Sequence, residues 1–198
     1  EPKPLAAAST AQVHRATLPD GSAVVVKVQR PDIDLTVRAD LNVIKDLMRL
    51  TEQRFAWARN ADLAAITTEY ADNILLELDY TNEAFNGRLL AQNMAVFPCV
   101  HVPKVYTDLS TQRIMTQEFV KGVKITNVKA IDEAGLDRTA LAVTFTQAIV
   151  KQLLFDGFFH GDPHPGNVLV NTDTGVIIFL DMGMMGSLDT EKRLILAD

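Results

Sequence analysis

His160-Gly161-Asp162-Pro163-His164-Pro165-Gly166-Asn167 lies between an apolar stretch of helical period and a short apolar run. Two prolines and two glycines in eight residues impose an unusual backbone path. A loop that merely joined two elements would not need a histidine, an acid and an asparagine in that frame. Fourteen residues after Asn167 stands Asp181, at the exit of Ile177-Ile178-Phe179-Leu180 and before Met182-Gly183. A carboxylate leaving an apolar strand ahead of a flexible glycine suits a metal ligand. Any one of Asp162, Asn167 and Asp181 alone reads equally well as a turn residue bonding its own backbone. Together they make the set that phosphoryl transfer from a nucleotide requires. Asp162 can orient or deprotonate an acceptor hydroxyl, while Asn167 and Asp181 offer oxygen ligands to Mg²⁺ on the phosphates.

Upstream, Gln12–Leu18 and Ala23–Gln29 flank Pro19-Asp20-Gly21-Ser22, a strong hairpin signal. Val37, Leu41, Ile44 and Met48 repeat at helical spacing and predict a helix over 34–55. A second helix is expected from Asp62, as N-cap, to Asn93, with Leu63, Ile66, Tyr70 and Ile74 on its apolar stripe. Strands follow at 101–106 and 113–119, and a short helix ends at Asp132–Gly135. Leu141, Phe145, Ala148, Ile149 and Leu153 define a buried helix stopping at Gly157, and strands are expected at 167–170 and 176–180. Strands, long helices, strands, helices and strands in that order give an α+β class.

Lys27 is the one charge in Val24-Val25-Val26-Lys27-Val28. It either snorkels to solvent as a routine strand lysine or finds a partner, because unpaired burial costs several kcal/mol. Glu77, Asp79 and Glu83 on the second helix are candidates, with Asp79 and Glu83 four apart on one face. A Lys27–Glu83 pair would hold the ammonium against nucleotide phosphates. Just before the hairpin, Leu5-Ala6-Ala7-Ala8-Ser9-Thr10-Ala11-Gln12 occupies the place of a phosphate-covering glycine loop, with three alanines and no glycine.

The chain has 198 residues, 47% hydrophobic and 22% charged, an ordinary globular composition that excludes disorder and fibrous repeats. Its formal charge of -6 argues against general nucleic-acid binding. Cys99 stands alone, so no disulfide framework or thiolate metal site is expected, and a reducing compartment fits. Leu141–Phe159 is the most apolar region and is interrupted by Lys151 and Asp156, so no membrane span or signal peptide is expected. His14, His101, Trp57 and Cys99 read as packing or surface residues, His164 as shaping its loop, and His160 as a structural support beside Asp162.

The alanine loop, Ala11-Gln12-Val13-His14-Arg15-Ala16, Val26-Lys27-Val28-Gln29-Arg30-Pro31, Glu77-Leu78-Asp79-Tyr80 with Glu83-Ala84, the His160–Asn167 loop and Asp181-Met182-Gly183 together resemble the UbiB/AarF family. These are atypical protein-kinase-like proteins tied to ubiquinone and other isoprenoid-lipid metabolism. The resemblance implies a protein-kinase-like fold: a small antiparallel-sheet N-lobe with inserted helices over 1–120, and a truncated, mostly helical C-lobe over 121–198. It implies ATP or ADP with Mg²⁺ as ligands. By the same resemblance Lys27 contacts phosphate with Glu83 as partner, and Glu77 and Asp79 form the Glu-x-Asp element near metal and nucleotide. Asp162 is then the catalytic acid, and Asn167 and Asp181 are the metal ligands. Ala6, Ala7, Ala8 and Ser9 would replace the glycine loop, and Glu118, Phe119 and Val120 would form the adenine-binding hinge beside Gln117 as gatekeeper. The family's Lys-x-Gly-Gln motif is absent from this sequence, Lys3 does not match it, and Asp-Met-Gly stands for Asp-Phe-Gly. A piece of a longer protein is therefore expected. The parent is expected to be cytoplasmic, peripheral to or anchored at a membrane, with an isoprenoid or quinone lipid or a lipid-biosynthesis complex as partner and no nucleic acid.

Two alternatives stand beside an atypical kinase or ATPase. A small-molecule phosphotransferase of the aminoglycoside or choline kinase type shares the His-Gly-Asp loop and the later Asp, but the alanine loop and Glu-Leu-Asp-Tyr disfavour it. A non-catalytic nucleotide sensor in a lipid-synthesis complex is motivated by the alanine methyl groups crowding the phosphate side of the loop.

Overall fold

The computed structural model describes residues 1–197. β1 (Ala6–Ala7), β2 (Ala11–Thr17) and β3 (Ala23–Gln29) begin the chain, and β2 and β3 form the expected hairpin. Gly21 takes φ 88° in its turn, a value open to glycine, while Ser22 N–H donates to Asp20 Oδ1 at 2.8 Å. Four helices follow: α1 (Ile33–Arg54), α2 (Ala56–Asn60), α3 (Leu63–Glu77) and α4 (Tyr80–Met94). Asp62 caps α3 by accepting from Ala65 N–H.

The single helix expected to Asn93 is two helices. It breaks at Leu78–Asp79 because Asp79 adopts extended backbone and caps α4, accepting from Thr81 N–H at 2.9 Å. The strand expected at 101–106 shrinks to β4 (Val100–His101), with an isolated bridge from Val105 to Gln117 of β5 (Ile114–Glu118). β6 (Val123–Lys124), α5 (Val128–Glu133) and α6 (Arg138–Val150) come next. A π-helical turn at Lys151–Asp156 extends α6 to Gly157. Gly157 has φ 64°, and a Cβ there would meet the Leu188 carbonyl, so the helix has to stop at that point.

The helix stops at Gly157 as expected, and the chain then enters β7 (Phe158–His160), a strand for which the sequence gives no sign. β8 (Val168–Val170) and β9 (Ile177–Phe179) agree with expectation, whereas β10 (Met185–Ser187), pairing β7, has no sequence period to announce it. α7 (Thr190–Ala197) closes the described chain.

Two four-stranded sheets result, one ordered β1-β2-β3-β5 and the other β4-β9-β8-β6. The fold is α+β and protein-kinase-like, with a small antiparallel sheet carrying inserted helices. The main core joins Leu90 and Met94 of α4 and Val100 of β4 to Val168, Ile177, Phe179, Leu141 and Ala148. The far half of α4 and β4 belong to this larger core. The first sheet has only a small cluster of Ala11, Tyr80 and Met115. Lys151 Nζ donates to the Asn93 carbonyl at 2.9 Å and to both Asp156 oxygens at 2.6 and 2.7 Å, fastening the end of α4 to the π turn. Among the described residues no helix is long and apolar enough to cross a membrane.

Candidate active site

Lys27 sits mid-strand, opposite Val13 on β2 and Met115 on β5, so pairing on both sides fixes its backbone. Its ammonium lies 2.8 Å from Glu83 Oε2 and 3.7 Å from Asp181 Oδ1. It also stands 4.9 Å from the centre of the Tyr80 ring, within cation–π range. Glu83, in the first turn of α4, is 4% exposed. Burial disfavours the lysine's charge, yet the Glu83 and Asp181 carboxylates outweigh it and hold the Lys27 pKa above its ordinary value. Burial pushes the Glu83 carboxyl up, with Lys27 opposing and Asp181 adding. Tyr80 is pushed up to about 12, chiefly by burial.

The opposite wall is built within the 22 residues from His160 to Asp181. His160 is buried; its Nε2 donates to the Leu180 carbonyl at 2.9 Å and its Nδ1 accepts from Asp162 N–H at 3.2 Å. Those two partners select the neutral Nε2–H tautomer. Gln152, fully buried, accepts from His160 N–H at 2.9 Å. Asn167 Nδ2 donates to the Asp162 carbonyl at 3.2 Å and to Asp162 Oδ2 at 3.4 Å. Leu180 N–H in turn donates to the Asn167 carbonyl at 2.7 Å, which brings Asp181 beside the loop. Asp181 has φ 56°, a strained left-handed conformation for a non-glycine residue. His164 Nδ1 accepts from Gly166 N–H at 2.9 Å and shapes the loop.

Between these walls lies a cleft of about 180 Å³, lined by Lys27, Glu77, Glu83, Asp162, Asn167 and Asp181 together with Thr10, Tyr80, Gly183 and Met184. Other predicted residues lie elsewhere. Asp79 does not join the cleft: its carboxylate caps α4 and also accepts from the Thr81 hydroxyl at 2.6 Å. Ala6, Ala7, Ala8 and Ser9 are exposed and do not line the cleft. Glu118 turns its carboxylate to His101 Nε2 at 2.9 Å and to Lys104 N–H at 3.2 Å. With Phe119 and Val120 it borders a separate hollow of about 640 Å³. Gln117 pairs with Val25 across β3.

No role for Tyr80, Thr10 or Asn86 is legible in the sequence, yet the first two line the cleft. Asn86 Nδ2 donates to the Met182 carbonyl at 2.9 Å and ties α4 to the Asp-Met-Gly segment. Its signal is faint, an asparagine one residue short of a helical turn past Glu83.

The donor set suits a hard cation. Asp162, Asn167 and Asp181 are oxygen donors on one cleft, and burial, Asp181 and then Asp162, with Lys27 opposing, hold the Glu77 carboxyl above its ordinary range. Among the described residues no three His, Cys, Asp or Glu side chains are grouped to hold a metal by themselves. A magnesium ion here would complete its shell with Asn167 and with phosphate or water oxygens.

The description "ABC1 atypical kinase-like domain" matches residues 1–198. The chain is 37% identical over 200 residues to a probable protein kinase UbiB of Aliivibrio fischeri, covering 99% of this chain and 37% of that one. In structure it resembles Rv3197 of Mycobacterium tuberculosis, solved in complex with erythromycin, at TM-score 0.71 and 30% identity over 93% of this chain and 46% of that one. The Rio2 kinase of Chaetomium thermophilum, solved as an ADP/Mg²⁺-phosphoaspartate complex, shares the fold at TM-score 0.53 and 13% identity, over 99% of this chain and 52% of that one. The chain spans 28 to 34% of the length of three curated cyanobacterial relatives. With the whole of its length matched, this chain belongs to the ABC1 atypical kinase-like family.

Proposed function

We propose that the chain binds a magnesium–nucleotide in the cleft between Lys27 and Asp181 and supports transfer of the terminal phosphoryl group to an acceptor hydroxyl or to water. One observation carries the reading: Lys27 Nζ is 2.8 Å from buried Glu83, in the cleft that Asp162, Asn167 and Asp181 also line. Glu83 holds the ammonium where it can meet phosphate oxygens, and the neighbouring Tyr80 ring excludes water from one side. Asp162 accepts the proton of the attacking hydroxyl as the new O–P bond forms and the bond to the leaving diphosphate breaks. Asn167, donating to Asp162, keeps that carboxylate turned into the cleft. When bound, magnesium held by Asn167 and Asp181 supplies charge neutralisation of the phosphates.

The partner and setting follow from the family resemblance: an isoprenoid or quinone lipid or a lipid-biosynthesis complex in ubiquinone or related biosynthesis, with the full-length protein associated with a membrane. A second reading, a small-molecule phosphotransferase, has one observation in its favour, the erythromycin complex of the 30%-identical relative. ATP-dependent phosphorylation of a macrolide, aminoglycoside or choline would select it.

A thermal-shift titration with ADP and ATP, each with and without Mg²⁺, tests nucleotide binding. Saturation at a hundred times Kd stabilises by about 2.7 kcal/mol. A magnesium-dependent shift is expected and should vanish in Asp181→Ala; no shift in the full-length protein refutes the reading. Asp162→Asn should lower turnover by about a hundredfold or more while nucleotide still binds.

A further inference from the structure

Tyr80, the first residue of α4, is 3% exposed, and its hydroxyl has no part in the transfer step. Its place is fixed from several sides. The backbone N–H donates to the Gln112 carbonyl at 3.0 Å, and the side chain packs with Ala11, Met115 and Val105 against the first sheet. Lys27 Nζ stands over the ring, 4.9 Å from its centre. A buried tyrosine hydroxyl ordinarily finds a partner. Among the described residues the Tyr80 hydroxyl has none, and the polar side-chain atom sealed without a partner is Arg193 Nε, not this one. The hydroxyl therefore opens on the cleft that Tyr80 lines.

In that cleft Lys27 is the one lining cation and faces the carboxylates of Glu77, Glu83, Asp162 and Asp181. A neutral donor beside the ammonium adds attraction for an anionic oxygen without a second buried charge. Burial raises the phenol to about 12, so it stays protonated and able to donate. The ring has a separate use. Its π face attracts the ammonium through its quadrupole and leaves the ammonium N–H groups that Glu83 does not take free for phosphate, which a further carboxylate would not.

We propose that Tyr80 is a phosphate-binding residue: its hydroxyl donates to an oxygen of the phosphate that Lys27 meets, and its ring face holds the ammonium beside that oxygen. The hydroxyl's role rests on the nucleotide reading above; the ring's role does not.

The test uses the full-length protein, with the Kd of MgADP read by calorimetry and that of magnesium pyrophosphate by competition against it. Tyr80→Phe keeps the ring and loses the hydroxyl. Both Kd values should rise by about tenfold, the scale of one hydrogen bond to a charged group. Replacing Tyr80 by 4-aminophenylalanine restores a donor and should recover most of that loss. Unchanged affinities in Tyr80→Phe overturn the hydroxyl's role. A loss for MgADP with none for pyrophosphate, or pyrophosphate failing to compete at all, overturns the assignment to phosphate. If Tyr80→Phe does not fold, the 4-aminophenylalanine protein set against a 4-fluorophenylalanine one, alike in shape but without a donor, carries the same comparison.

The ring is tested by replacing Tyr80 with phenylalanines carrying one, two and three fluorines, which drain the π face stepwise at nearly constant shape. Urea unfolding without ligand should show stability falling with each fluorine, and MgADP affinity should fall by about fivefold across the series. A flat series overturns the ring's role. Binding of neither MgADP nor MgATP to the unaltered protein refutes the nucleotide reading and with it the hydroxyl's role, while the fluorine series in urea still decides the ring.

Discussion

The two walls of the cleft are made in different ways. The wall of Asp162, Asn167 and Asp181 is held by bonds that span at most 20 residues: two from His160 to Asp162, five from Asp162 to Asn167, and 20 from His160 to Leu180. The wall of Lys27 is assembled across 56 residues and depends on α4 being packed against the sheet. A turn fixes its geometry as soon as its few residues are ordered, whereas a distant ion pair forms only after loop closure and packing have been completed. The first wall therefore keeps its shape through local chemistry, and the second carries the energetic risk of a buried charge.

Three experiments break or sharpen that contrast. The largest effect is expected from Glu83→Ala, which leaves the Lys27 ammonium without its buried partner. A loss of about 3 kcal/mol in urea unfolding is expected, at the low end for such a deletion because Lys27 keeps some contact with water. His160→Ala removes the ring between Asp162 N–H and the Leu180 carbonyl and should cost about 2 kcal/mol by the same measurement. A His160→Ala loss exceeding that of Glu83→Ala would reverse the comparison.

The smallest effect is one of pH. The folded Glu77 carboxyl binds its proton more tightly than the unfolded one, whose value is 4.5. The stability it lends is complete below that value and lost as pH rises through the folded one. Without nucleotide or Mg²⁺, the unaltered protein should gain stability relative to Glu77→Gln as pH falls from about 7 to 5. Urea unfolding at three pH values in that window checks this, and a constant difference contradicts it.

The same contrast governs what could be read in advance. The His160–Asn167 loop and Asp181 stood out because prolines, glycines and polar side chains at fixed offsets are local facts. The hairpin at Asp20-Gly21 was legible for the same reason. The helix break at Asp79 was hidden by continuing apolar period, although Asp79 followed two residues later by Thr81 carries the mark of an N-cap. β7 goes unannounced because Phe158-Phe159-His160 is too short a run to show a strand period. β10 is defined by pairing with β7 alone, and Met185-Gly186-Ser187 has no period to detect. Lys27 and Glu83 could be proposed as partners from residue type, while Tyr80 beneath the ammonium emerges only from three-dimensional packing.

The fastening of α4 by Lys151 has a mechanical meaning. Glu83 lies near one end of the helix and the Asn93 anchor near the other, so the helix is a lever pivoted in the larger core. With a rise of about 1.5 Å per residue, the arm from Met94 back to Glu83 is about 16 Å long. A tilt of about 10° at the pivot would carry the Glu83 carboxylate about 3 Å along its arc, by the geometry of that arm. The 2.8 Å contact with Lys27 is therefore sensitive to how firmly the far end of α4 is held.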